Sequence, residues 1–144
     1  MNRGARTLFL AALFFGGFVG PVEYAAAHGE DKPGPHGGVI RMPGAFHTEL
    51  IARGTHAVEV YLLDFNWSDP VVAESAVTVT HRLTEKEIPL ECQVESKSFM
   101  CRTKGPARNE GTLVVHASRK GAPGIPVEYP LPPTVGALKD EPHH

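Results

Sequence analysis

Short runs that alternate apolar and polar residues, broken by glycine or proline, constrain this chain more than any other feature. From Ala57 to Asp64, Val58, Val60 and Leu62 share one face while Glu59, Tyr61 and Leu63 share the other, because successive side chains on a strand point to opposite faces. The mixed second face predicts a central strand covered on both sides. Ala76 to Leu83 alternates again, with Val77, Val79 and His81 opposed to Thr78, Thr80 and Arg82. Strand-length runs also occupy Val39–Met42, Phe46–Arg53, Ile88–Glu95, Ser98–Thr103, Gly111–Ser118 and Ile125–Leu131. No long helical pattern intervenes, and 15 glycines and 13 prolines supply the breaks. About seven to eight short strands of this kind predict an all-β fold, a small antiparallel β-sandwich of Ig-like or cupredoxin-like shape. A closed barrel is the alternative.

The ends are different in character. Arg3 and Arg6 precede an apolar run from Thr7 to Gly20, and Ala25 and Ala27 supply small residues at the end. That is the pattern of a secretory signal peptide over residues 1–27. The apolar run is short of the roughly 20 residues that span a bilayer, so no stable membrane insertion is expected after processing. Residues 28–35 read as a flexible Gly/Pro/charged leader, 36–132 as the sandwich domain and 133–144 as a loose Pro-rich tail. The expected location is periplasmic or secreted.

Removing residues 1–27 moves the formal charge from −2 to about −3. No strong basic field remains for nucleic acid. The two cysteines, Cys92 and Cys101, suit a disulfide in an exported chain. With Ser96-Lys97 as a hairpin turn they fall directly opposite each other. All eight histidines follow Ala27, a bias that points to metal chemistry or pH response.

The histidines that matter most lie between His36 and Asp64. His47 and Glu49 are two apart on a strand and project from one face about 7 Å apart. A type II turn at Pro43-Gly44 pairs Ile40 with His47 and Gly38 with Glu49, placing His36, Gly38, His47 and Glu49 on one face. His36 then lies diagonally within reach of the Glu49 carboxylate. In a regular ladder His36 and His47 are about 13 Å apart, so they share an ion only if Gly37-Gly38 bends the chain. Imidazole and carboxylate pairs are common metal ligands and equally common surface groups. If cleavage follows Ala27, His28 becomes the first residue and its amine and ring could chelate copper(II); a frayed terminus is the plainer reading. Met42 and Met100 are potential thioether ligands for copper(I), with packing as the safer assignment. His81, His116, His56 and His143-His144 carry no site assignment.

The run PHGG-x7-FHTEL followed by VEVYLLD resembles segments of small periplasmic heavy-metal-resistance proteins. It is also similar to the HGG-containing segment near the start of adaptor subunits of heavy-metal efflux pumps. The match covers His36 to Asp64, about a fifth of the chain by length. The resemblance implies metal handling, copper first and zinc or another divalent ion next, with a binding role for His36, His47 and Glu49. The chain lacks an adaptor's coiled-coil and lipoyl-like regions, so a stand-alone module fits better than an adaptor.

The leading expectation is therefore a periplasmic metal-binding protein that sequesters copper or passes it to components of an efflux system. Neutral imidazole ligands make such binding weaken as pH falls through histidine titration. The alternative is a metal-free envelope interaction domain, with Phe46, Tyr61, Phe65 and Trp67 as an aromatic patch. No nucleophile elbow, H-E-x-x-H helix, phosphate-binding Gly loop or C-x-x-C-H site occurs in the sequence, and no enzymatic activity is expected.

Overall fold

Alternating valines on successive strands leave two apolar surfaces that can be removed from water only by facing each other. The computed structural model describes residues 31–105, 107 and 109–135. The expected signal segment, His28 and the His143-His144 pair lie outside these residues. Among the described residues ten strand segments occur in chain order: β1 (Val39–Arg41), β2 (His47–Arg53), β3 (Ala57–Leu63), β4 (Ala76–Arg82), β5 (Glu87–Pro89), β6 (Glu91–Val94), β7 (Phe99–Arg102), β8 (Thr112–Arg119), β9 (Ala122–Pro123) and β10 (Val127–Pro130). They make two antiparallel sheets, one in the order β1-β2-β3-β7-β6 and one in the order β10-β8-β4-β5 with β9 on β8. The fold is the all-β sandwich expected from the alternation.

The core lies between the sheets. Leu50, Val58, Val60, Leu62, Phe99 and Cys101 of the first sheet pack with Val77, Val79, Leu113, Val115 and Tyr129 of the second. Polar groups inside are bonded: the Thr48 hydroxyl lies 2.6 Å from that of Tyr129, which donates in turn to the Thr48 carbonyl at 3.2 Å. Buried Arg41 ties the sheet edges together, donating from Nε to the Glu128 carbonyl at 3.0 Å with its guanidinium above the Tyr129 ring. Cys92 pairs with Cys101 across the β6–β7 hairpin, as a disulfide.

Two expectations change. The run Ile88–Glu95 is two strands, because the chain leaves the second sheet after Pro89, buries Leu90 and enters the first sheet at Glu91. Proline cannot donate to a ladder, which makes it a natural point of departure. The two-residue hairpin at Pro43-Gly44 is absent: Val39 pairs with Leu50, Ile40 with Glu49 and Arg41 with Thr48. Gly44 does not take the left-handed φ that a type II turn requires at its third position. The connection runs from Met42 to Phe46, and its reason is burial of Phe46 in the core. Pro43 accepts from the Ile125 amide at 2.9 Å, which fastens this wider connection to the second sheet. The slip is two residues, so the paired side chains of β1 and β2 keep their expected faces, while His36 lies in a turn before β1.

The disulfide closes a short loop of sequence separation 9, for which chain entropy predicts a stabilisation of about 2–3 kcal/mol. Replacing both cysteines by alanine is expected to lower the unfolding free energy by about that amount or somewhat more, since buried Cys101 also loses packing. Urea titration of the two proteins checks it.

Candidate functional site

The outer face of the first sheet carries an unusual load for a surface. Ile40, Glu49 and Leu63 are fully buried there, and His47 and Glu59 nearly so. Two segments cover them: the Gly34–Gly38 loop and the Asp64–Pro70 loop.

Gly34-Pro35-His36-Gly37 forms a closed turn, with the Gly37 amide donating to the Gly34 carbonyl at 2.9 Å and the Gly34 amide to the Gly38 carbonyl at 2.9 Å. Pro at the second turn position and Gly at the fourth suit such a turn, and Gly37 takes a left-handed φ of 80°. Gly34 sits so close to the sheet that a Cβ there would lie 2.5 Å from the Glu49 carboxyl carbon and 2.7 Å from Ile40 Cδ1. The bend that shared coordination would require at Gly37-Gly38 is thus present and begins earlier, at Gly34.

Glu49 holds this loop. Its side chain is 0 % exposed, and a buried carboxylate is costly unless fully bonded. Oε1 accepts from the backbone amides of His36 at 2.8 Å and Gly38 at 2.9 Å. Oε2 lies 2.7 Å from His36 Nδ1. His36 and Glu49 are therefore in contact, but through the Gly34–Gly38 turn and not diagonally across a ladder: Ile40 stands opposite Glu49, and a regular ladder would carry His36 four residues beyond it. The His36 ring stacks on Tyr61, centroids 3.7 Å apart and planes 5° from parallel. With the side chain 33 % exposed and Nδ1 committed to a carboxylate, Nε2 is left as the ring's available lone pair.

His47 points from the same face of β2 and has different partners. Its Nδ1 donates to the Asp64 carbonyl at 3.2 Å, and its ring lies about 6 Å from the rings of Phe65 and Trp67. That loop is braced by Asp64, whose Oδ1 accepts from the amides of Asn66 and Ser68, each at 2.9 Å. Trp67 and Asp69 take positive φ values of 62° and 50°. Those bonds from Ser68 hold the Asp64 carboxyl below its ordinary range. Among the described residues, no group of three or more His, Cys, Asp or Glu side chains is placed to hold a metal ion.

Beside His36 a shallow pocket of about 510 Å³ opens, lined among others by Tyr61, Glu59, Ser98, Lys97 and Met100. Glu59 is spoken for: Oε1 accepts from the Ser98 hydroxyl at 2.7 Å and Oε2 from Arg53 Nε at 2.7 Å. Burial pushes the Glu59 carboxyl up, but the bonds from Ser98 and Arg53 outweigh it and hold the group below its ordinary value. Burial, followed by the neighbouring Glu59, pushes the Tyr61 phenol up, which keeps it a neutral hydroxyl.

Of the remaining histidines, His81 is fully buried, with Nε2 donating to the Glu110 carbonyl at 2.8 Å. His116 is exposed opposite Thr78 on the outer face of the second sheet. These two therefore do not meet across the sandwich. His56 is exposed in the turn after β2. The expected aromatic patch is not one surface, because Phe46 is in the core and Tyr61 lies under His36. Sequence reasoning missed the platform role of Tyr61, although its shared face with Glu59 was visible, and missed the steric demand at Gly34.

Two outcomes follow. Glu49→Gln keeps the volume and removes the charge from a group with three N–H partners, so it is expected to cost about 1–3 kcal/mol and to release His36; urea unfolding reports the first and the His36 ring nitrogen resonances the second. Glu59, with a depressed folded value, contributes stability that is fully present above the ordinary glutamate value of 4.5 and lost as pH falls through its folded value. Glu59→Gln should therefore flatten the loss of stability from about pH 4.5 downward, seen in unfolding curves taken across that window.

No protein-family model matches the chain, and neither the curated proteins nor the solved structures contain a match.

Proposed function

We propose that this chain is an exported metal-binding protein, with copper as first cargo and zinc next, and that His36 is its principal ligand. One observation carries the reading: a fully buried carboxylate is bonded to Nδ1 of a part-exposed imidazole. Imidazoles that bind metals are commonly held this way, the carboxylate fixing the tautomer and raising the basicity of the other nitrogen. Glu49 in this reading orients the ligand and does not touch the ion. His47, likewise held through Nδ1, is a separate imidazole with its own surroundings, and His28 remains a candidate chelate outside the described residues. Release to an efflux component fits an open site on a sheet face, where a partner can approach the bound ion. The segment resemblance of His36–Asp64 supports the same context.

The second reading is a metal-free interaction domain. Phe65 favours it, being 67 % exposed on a loop braced by Asp64, since exposed aromatic anchors on rigid supports are typical of contact surfaces.

Calorimetry of the processed protein with copper and with zinc at neutral pH separates the two. Metal binding that His36→Ala abolishes and Glu49→Gln weakens by about 10–100-fold is the expected result. Absence of binding in the unsubstituted protein sinks the metal reading, while partner capture unaffected by His36→Ala and His47→Ala supports the alternative.

A further inference from the structure

Met100 lines the pocket beside His36, and the sheet register explains why. It stands opposite Glu59 in the β3–β7 ladder, on the outer face and diagonal to Tyr61, the residue on which the His36 ring is stacked. Its neighbours Phe99 and Cys101 point into the core, whereas Met100 is half-buried at the pocket wall. A methionine packing a core would belong to the other set.

We infer that His36 Nε2 and the Met100 thioether together form a binding site for monovalent copper. The inference rests on the metal-binding reading above and adds the oxidation state of the cargo. The ligand types around the pocket argue for it. Glu59, the buried carboxylate beside Met100, is already bonded to Arg53 and Ser98, and Glu49 to the loop and the His36 ring. Every one of these oxygens already accepts a hydrogen bond, which makes either carboxylate a poorer ligand for a further ion. At the rim the exposed charges of Lys97 and Glu95 offset each other, so the ligand types nearest His36 decide. Zinc sites take about three or four imidazole, thiolate or carboxylate ligands, and no such group is placed among the described residues. A soft, singly charged ion has the opposite needs. Thioether sulfur and imidazole both suit it, and copper(I) is satisfied by few ligands. The His36–Tyr61 stack holds one of them in place over the sheet without using either ring nitrogen.

Anaerobic competition against bicinchoninate for copper(I) tests the inference on the processed protein, with zinc calorimetry in parallel. Met100→Leu nearly conserves volume at a half-buried position, and its unfolding midpoint provides the folding control. The expected result is a loss of copper(I) affinity of at least about tenfold in Met100→Leu, with any zinc binding unchanged, and X-ray absorption showing a sulfur neighbour of copper in the unsubstituted protein alone. Equal copper(I) affinity in the two proteins, or a copper environment without sulfur, overturns the inference. If His36→Ala abolishes copper(II) or zinc binding while Met100→Leu leaves copper(I) binding intact, only the thioether is wrong. If the unsubstituted protein takes up no metal in either oxidation state, the metal reading itself falls.

Discussion

A carboxylate with no access to water organises one whole side of this protein. Glu49 sits on the outer face of the first sheet, where a charged side chain would ordinarily be solvated, and the chain before β1 folds over it instead. Desolvating a carboxylate without partners costs several kcal/mol, so the loop that buries it must also bond it. Two backbone amides and an imidazole nitrogen do so. Glycine at position 34 permits the close approach, since any side chain there would meet the carboxyl group itself. The placement of His36, its stacking on Tyr61 and the burial of Ile40 all follow from this one requirement.

The sandwich beneath is of a more ordinary kind. Its inner faces are held by aliphatic packing, by the Thr48–Tyr129 hydroxyl pair and by Arg41 at the sheet edge. These interactions account for the fold without reference to the outer layer. The two parts meet in β2, whose alternate residues serve opposite ends: Thr48 and Leu50 face the core, His47 and Glu49 the covering loops. Burial at both faces gives that strand its unbroken run of inaccessible residues from His47 to Leu50. The same arrangement in β3 explains why Leu63 is as inaccessible as Leu62 although the two point in opposite directions.

Function, on this reading, belongs to the covering layer. The two imidazoles on β2's outer side are held by different oxygen acceptors, His36 by a side chain and His47 by a carbonyl. Each is therefore oriented independently, and neither needs the other to be fixed. What surrounds them also differs: a polar pocket with a thioether beside His36, and an aromatic loop above His47. A site assembled on a sheet face from a loop and a neighbouring strand remains open on one side, which favours transfer of a guest over its permanent enclosure.

Much of this was legible in the residues. Period-two alternation determined the strands, the faces of β2, β3 and β4 and the cysteine pairing across Ser96-Lys97. Those statements depend on parity and short separations, and a register slip of two residues at the Pro43-Gly44 connection left them intact. The contact of His36 with Glu49, expected diagonally across a ladder, is instead made by the Gly34–Gly38 turn. The slip itself was not legible, because it answers to the space between the sheets that Phe46 fills, and local turn chemistry says nothing about that space. The crossing at Pro89-Leu90 was hidden for the same reason: a continuous strand pattern does not record which sheet each half joins. Nor could the sequence place Met100 on the pocket that His36 also lines. That neighbourhood depends on β7 pairing with β3 and on a buried carboxylate drawing the preceding loop across the sheet, and long-range pairing and desolvation are properties of the folded chain alone.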